Sequence, residues 1–286
     1  MNKVLPKAVG YLAFGDLYVS MALYSLQTLR NQDSTTPVFI VTNKDVDLQK
    51  LSFWNPHIDN LVLIKDHTSS NRLYKVSFNS LINAEKVCFL DCDTLVLSSF
   101  ARAWDYLDYF DIALKFNTTA QKAVGKGNIS VLDGKFKVSE IPHFNSGVIF
   151  FRNCDATHKF FDSWADSYKK LNVPFDQVSL IESLFHSHVR ILPLTQEWNY
   201  FPDLNFFKSR TPRPIIMHYT NRISKVIENN LLSIACDVGL NTTKLKYHIN
   251  QKRQLRRKKI GLMNWLKLCC YWLFNYDKES KFYQQL

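Results

Sequence analysis

Lys86-Val87-Cys88-Phe89-Leu90-Asp91-Cys92-Asp93-Thr94-Leu95-Val96 is the stretch on which the fold turns. An apolar run leads straight into two carboxylates at i and i+2, and apolar residues resume at once. A continuous apolar run of this length suits a strand buried on both faces. Like charges crowded at its end raise the free energy of the folded chain unless a cation lies between them. A hard divalent ion with oxygen ligands relieves that crowding, and Mg2+ or Mn2+ suits the chemistry. Asp91 and Asp93 are therefore candidate metal ligands.

Working backwards, three more apolar runs read as strands: Val9–Phe14, Val38–Thr42 and Leu61–Ile64. Helical spacing over 18–30 and expected helices near 45–54 and 74–83 separate them. Working forwards, Ile112–Leu114, Ser146–Phe151, Val189–Leu192 and Ile215–Met217 read as further strands. Between them lie an amphipathic helix at 156–171 and a short one at 178–185. Residues 117–140 are polar and read as a loop. Alternating strands and helices with short connections imply an α/β/α sandwich of Rossmann type around a mostly parallel sheet. In such sheets ligands collect at the carboxyl ends of the strands. Gly15-Asp16 and Asp91-Cys92-Asp93 both sit there.

The bulk composition agrees with a packed body. Of the 286 residues, 46% are hydrophobic and 14% aromatic, ample for a core. The net charge is +11, but residues 241–286 hold 11 of the 36 Lys/Arg and only 2 of the 25 Asp/Glu. The basicity thus belongs to a C-terminal tail, which argues against a nucleic-acid-binding globule. None of the six cysteines has Cys-x-x-Cys spacing, so a structural zinc site is not expected and reduced thiols are. The start of the chain has no signal-peptide core, and no run is long and apolar enough to span a bilayer. A cytoplasmic location is expected.

Phe89–Val96 resembles the Asp-x-Asp motif of glycosyltransferases with the GT-A fold. It also resembles the first motif of haloacid-dehalogenase-type phosphatases, in which Asp91 would be the nucleophile. Those phosphatases begin with that motif and need a later Asp-Asp or Gly-Asp pair. Here it follows three strands, and no such pair occurs after Asp93. A sugar-phosphate nucleotidyltransferase would share the fold but carry a Gly-rich basic loop that residues 10–20 lack. The chain as a whole is similar to glycosyltransferase family 8, the group of glycogenin and the lipooligosaccharide galactosyltransferases, over about residues 8–225.

That resemblance implies roles segment by segment. In Leu12–Tyr18, Asp16 would bond the donor base and Tyr18 stack on it, unless Tyr18 is core. In Asn71–Lys75, Arg72 and Lys75 would meet the diphosphate, with Cys92 counted among the nucleotide and diphosphate contacts. In Phe144–Val148, Asn145 and Ser146 would bond sugar hydroxyls and Gly147 would let ligand approach the backbone. Asp176 and Gln177 would be the catalytic pair beside the reacting sugar, and Asp176 also suits a helix N-cap. Trp198 and Asn199 would wall the acceptor pocket, though Trp198 equally suits a core. His218 would complete the metal site. Beyond it the family's phosphate-contacting lysine is out of place, leaving Arg222 or Lys225 to substitute.

The resemblance implies a metal-dependent transferase using Mn2+ or Mg2+. It would move a hexose from a nucleotide-diphosphate sugar, by default a uridine one, with retention. The expected division is a catalytic domain at 1–240 and a basic, amphipathic helical tail at 241–286. Lys252–Lys259 is densely basic, and Ile260–Phe274 is rich in Leu, Trp, Cys and Phe. Such a segment would lie on an anionic membrane and bring the enzyme to a glycan or lipid-linked acceptor of surface-glycan biosynthesis. The rival reading packs it on the body.

Overall fold

The computed structural model describes residues 4–65, 71–116, 130–137, 140–171, 176–202, 213–220 and 222–259. The strands are β1 (Leu5–Ala13), β2 (Val38–Thr42), β3 (Asn60–Leu63), β4 (Ala84–Leu90), β5 (Thr94–Val96), β6 (Ile112–Phe116), β7 (Ser130–Val131), β8 (Phe136–Lys137), β9 (Phe144–Arg152), β10 (Ile191–Leu194) and β11 (Ile216–His218). The helices are α1 (Asp16–Arg30), α2 (Asn71–Lys75), α3 (Arg102–Tyr109), α4 (Asp155–Leu171), α5 (Asp176–His186), α6 (Lys225–Asp237) and α7 (Thr242–Lys259).

Seven strands form one sheet in the order β10-β6-β9-β4-β1-β2-β3. Every pairing is parallel except the two made by β9 with β4 and β6. Each central strand alternates its side chains between two cores. Tyr11 and Ala13 of β1, Cys88 and Leu90 of β4, and Val148 and Phe150 of β9 face one core with α1, α3, α6 and α7. Leu12, Phe89, Ile149 and Phe151 face the other with α4 and α5. Burial on both faces is why these strands read as unbroken apolar runs.

The order of strands creates the site. After β1 the chain moves outward through β2 and β3, then returns to lay β4 on the other side of β1. At that reversal, loops leave the carboxyl ends of β1 and β4 in opposite directions and open a crevice. Gly15-Asp16 and Asp91-Cys92-Asp93 border it. Gly10 lets the core on the α4/α5 face close on the sheet: a Cβ there would come within 2.5 Å of the Phe78 ring.

Two expected helices shrink. Over 45–54 there is only a 3₁₀ turn at Leu48–Lys50, capped by Asp47, with Leu48 and Leu51 buried. One turn suffices to bury these two leucines. Over 74–83, α2 ends at Lys75 and a separate 3₁₀ turn at Phe78–Ser80 sets the Phe78 ring over Gly10. Of the expected loop at 117–140, residues 117–129, 138 and 139 lie outside the described residues, and β7 pairs with β8 as a small hairpin.

The boundary expected after residue 240 falls inside packed structure. Leu245 and Ile249 of α7 are fully buried in the same core as α1 and α6. Arg253 donates to the Ile223 carbonyl at 2.9 and 3.1 Å and pairs with Glu228 at 3.0 Å. Two apolar residues one turn apart are enough to seat a basic helix on the body. Residues 260–286 lie outside the described residues.

Candidate active site

The turn after β4 is fixed by its own backbone before any ligand enters. The Asp91 amide donates to the Gly147 carbonyl at 2.7 Å. The Cys92 thiol donates to the Leu12 carbonyl at 3.1 Å, tying the turn to the end of β1. The Thr94 hydroxyl donates to the Asp91 carbonyl at 2.8 Å and meets Ser25, which in turn meets Tyr11. Buried hydroxyls linked in this way rigidify the turn on α1.

His218 reaches the turn from 125 residues away through a two-stranded ribbon. β11 pairs antiparallel with β5, with His218 opposite Thr94, and the Tyr219 amide donates to the Asp93 carbonyl at 3.0 Å. Its Nε2 thereby lies 3.0 Å from an Asp93 oxygen and 4.0 Å from Asp91. One ligand atom from each of Asp91, Asp93 and His218 lies within 4.8 Å of the other two.

The imidazole is oriented by a chain of donors whose direction is set at one end. The Gly147 N–H can only donate, and it meets Asn145 Oδ1 at 2.8 Å. That oxygen must then accept from the Asn199 amide nitrogen, at 2.7 Å. Asn199 Oδ1 is left facing His218 Nδ1 at 3.1 Å, so Nδ1 carries the proton. Nε2 is turned toward the carboxylates as a metal ligand needs. Phe201 stacks on the ring, with centroids 4.7 Å apart. Gly147 leaves room beneath it: a Cβ there would lie 2.5 Å from His218 Cε1. The close approach expected of a ligand at Gly147 is made by His218 instead.

On the facing wall, Lys75 bridges two acids. Its ammonium lies 2.9 Å from Asp91 and 3.4 Å from Asp176. Asp176 opens α5, accepts from the Ser146 hydroxyl at 2.7 Å, and has Arg72 at 4.0 Å. A cleft of about 390 Å³ runs between these walls, lined by Tyr18, Arg72, Lys75, Asp91, Asp93, Asp176, His218 and Lys252 among others.

Charge in the cleft is strongly coupled. Burial pushes the Asp91 carboxyl up, against Lys75 and His218, and the neighbouring Asp93 adds to the rise. Burial also works to raise Asp93, but His218 and then Lys252 outweigh it and bring it down to about 2. Burial works to lower His218, but Asp93 outweighs it and holds the imidazole above its ordinary value. Asp176 is held below the usual carboxylate value despite its burial, by Lys75 and the Ser146 hydroxyl. Two half-buried acids and a buried imidazole converge on one spot, which is the arrangement a divalent cation relieves. The donor set fits Mn2+ or Mg2+.

The other expected residues are spread around the cleft. Asp16 pairs with Lys44 at 2.9 Å and, with Tyr18, lines an adjoining cavity of about 260 Å³. Tyr18 is not core; its ring is partly exposed and borders both cavities. Cys92 is buried but lies along the cleft.

Asn145 and Asn199 sit behind His218, and the fully buried Asn199 engages Asn145 and His218 with its side chain. Trp198 is core, edge-on to Tyr106 and Phe150. Gln177 is half-buried and does not line the cleft, whereas Asp176 does. Lys225 is also outside the cleft wall: its side chain is 75% exposed and pairs with Glu228 at 3.1 Å.

Two lysines escaped the reading of the sequence. Lys252 was hidden in the basic run. Lys115 is a lone cation at the end of a buried strand; it lies 4.6 Å over the Phe201 ring, and burial pushes it down to about 8.

A family model described as nucleotide-diphospho-sugar transferase matches residues 83–226, half of the chain. The match runs from β4 into the start of α6 and takes in Asp91, Asp93, Asp176 and His218. Among solved structures, the galactosyltransferase LgtC in complex with donor and acceptor sugar analogues superposes with a TM-score of 0.54 at 15% identity, covering 81% of this chain and 96% of that one. The bifunctional glycosyltransferase WbbM gives a TM-score of 0.57 at 15% identity, covering 83% of this chain. The chain spans only 50% of the length of WbbM. The glycosyltransferase GlyE from Streptococcus pneumoniae TIGR4 gives 0.52 at 16% identity, covering 86% of this chain and 64% of GlyE. At these identities the likeness is one of fold. No curated protein matches the chain in sequence.

Proposed function

This chain belongs to the nucleotide-diphospho-sugar transferase family, and from that premise we propose that it is a metal-dependent hexosyltransferase of the family 8 kind. Its donor is a uridine diphosphate sugar and its acceptor a glycan or a lipid-linked glycan. One observation carries the reading: Asp91, Asp93 and His218 converge in a cleft whose opposite wall is Arg72, Lys75 and Asp176. Membership of the family sets aside the phosphatase and nucleotidyltransferase alternatives.

Asp91, Asp93 and Nε2 of His218 would hold Mn2+ or Mg2+, which as a Lewis acid neutralises the charge that grows on the departing diphosphate. Asn199 keeps the His218 proton on Nδ1, so the ring offers its lone pair without reorganising. Lys75 bridges the Asp91 and Asp176 carboxylates and favours the ionised form of each. Asp176, kept acidic by Lys75 and Ser146, orients sugar hydroxyls and faces the positive charge that develops at the anomeric carbon. Arg72 lies at the edge of this wall, and its guanidinium fork suits a phosphate oxygen. Retention of configuration and a contribution from Gln177 rest on the family resemblance.

Among the described residues no helix is long and apolar enough to cross a membrane. The basic run ending α7, with the Trp-bearing segment beyond it, attaches the enzyme peripherally to an anionic cytoplasmic membrane surface.

The test is a screen of nucleotide sugars for release of nucleoside diphosphate with Mn2+ present. One donor should turn over, and a chelator should stop it. Hydrolysis of aryl phosphates without nucleotide, or no donor turning over, would overturn the reading.

A further inference from the structure

We propose that Lys252, on α7, is a donor-binding residue that contacts the diphosphate from the side of the cleft opposite Arg72 and Lys75. The inference rests on the proposed function and adds to it a residue outside the segment that matches the family, which ends at 226.

Helix geometry places the side chain. Leu245 and Ile249 are the fully buried residues of α7. Lys252 follows them at i+7 and i+3, so it shares their stripe and points along the body rather than out to solvent. Arg253 locks the helix at that point through the Ile223 carbonyl and Glu228. Lys252 accordingly lines both the metal cleft and the adjoining cavity, and its ammonium lies 5.1 Å from the centre of the Tyr18 ring, which borders the same two spaces.

Charge supplies the second argument. A diphosphate bound at Asp91 and Asp93 carries more negative charge than one divalent ion neutralises once those two carboxylates are counted. Lys75 is already committed to Asp91 and Asp176, and Arg72 stands beside Asp176. Lys225, one of the two substitutes expected from the sequence beside Arg222, turns outward to Glu228. Lys252 adds a further point charge to the lining of the same cleft, where a flexible stem can follow a phosphate oxygen.

Calorimetry on the full chain tests this, with Mn2+ and each of UDP, GDP, CDP and ADP as probes, and the matching nucleoside as control. Lys252→Met should weaken binding of the preferred diphosphate about tenfold, the effect of losing one charge-assisted contact. Its affinity for the nucleoside and its melting temperature should stay at wild-type values. Lys252→Arg should restore most of the loss, and Lys225→Met should bind as wild type does. If Lys252→Met binds the diphosphate within about twofold of wild type, or loses nucleoside and diphosphate binding equally, the assignment is wrong while the transferase reading stands. If wild type binds none of the four diphosphates, the transferase reading itself fails and takes this inference with it.

Discussion

The acidic turn after β4 and the basic helix α7 meet at the same cleft, yet they announce themselves in opposite ways. The turn is three residues long, and its chemistry is visible because a buried strand delivers it. Two carboxylates at the end of an apolar run admit few explanations. The helix is 18 residues long, and its composition hides its role. Averaged over all faces α7 is a polar, cationic segment, and such a segment suggests attachment to a surface. Its placement depends on Leu245 and Ile249, which count for little in an average and decide which face the core covers. Charge totals describe a segment; only the stripe says which charges meet the body.

The comparison breaks first at the acids. Asp93→Ala should reduce metal-dependent transfer by at least about 10³-fold, since it removes a ligand to a group that stabilises several kcal/mol of transition-state charge. Retention of near-wild-type turnover with Mn2+ would remove the turn from the chemistry altogether. The matching test of α7 is structural. A chain ending after Leu240 loses the burial of Leu245 and Ile249, about 1.5–3 kcal/mol each, and should be unfolded or aggregated. A chain ending after Lys259 should fold and transfer sugar but bind anionic vesicles more weakly, since it keeps the basic run and loses the Trp-bearing segment. If the shorter chain melts like wild type, α7 is an appendage after all.

How far the sequence could be read follows the same division. Strands, their parallel packing, the acids and His218 were legible because burial on two faces and a charge at a strand end leave local marks. What was hidden is depth. Asn145, Gly147 and Asn199 are the right residue types at the right strand ends for sugar contacts, but they stand one layer back and serve His218. Type and spacing do not say whether an amide faces a ligand or the residue that holds one; here that is set by the pairing of β11 with β5, which brings His218 to Asp93 from 125 residues away. Trp198 had both readings open and is core because its 3₁₀ turn packs under β9. Lys225 was offered, with Arg222, because the family motif places a lysine shortly after the histidine; in space Lys225 turns to Glu228, and the lysine lining the cleft from beyond that motif is Lys252 of α7.

Gly147→Ala sharpens the contrast between a residue that touches ligand and one that makes room for a ligand-holder. The added Cβ would lie 2.5 Å from His218 Cε1 and 2.9 Å from Asn145 Oδ1, inside van der Waals contact on both sides. The ring must move, and metal affinity should fall about 10- to 100-fold, as when a group that orients a ligand is lost. Asn199→Leu should act in the same direction by removing the acceptor that fixes the Nδ1 proton. Calorimetric titration with Mn2+ distinguishes this from a sugar-site effect, which would leave metal affinity intact and raise KM for donor alone.

The smallest effect concerns the proton that occupies the site when no metal does. His218 is held above its ordinary value of 6.5 by Asp93, despite its burial. Asp93 is brought down to about 2 from 3.8. In the metal-free protein the imidazolium–carboxylate pair therefore contributes stability that is complete between about pH 4 and 6.5. Below that window it is lost as pH falls toward about 2 and Asp93 protonates. Above it, the contribution is lost as pH rises through the folded value of His218. A metal needs the neutral imidazole, so at the acid side of that value it must displace the proton. Apparent Mn2+ affinity should then rise with pH, by up to about tenfold per unit, and level off once His218 is neutral. Calorimetry near pH 6 in buffers of differing ionisation enthalpy should register about one proton released per metal bound, and fewer near pH 8. A binding heat independent of buffer near pH 6 would place His218 outside the metal's ligands and leave the two acids to hold it with the donor alone.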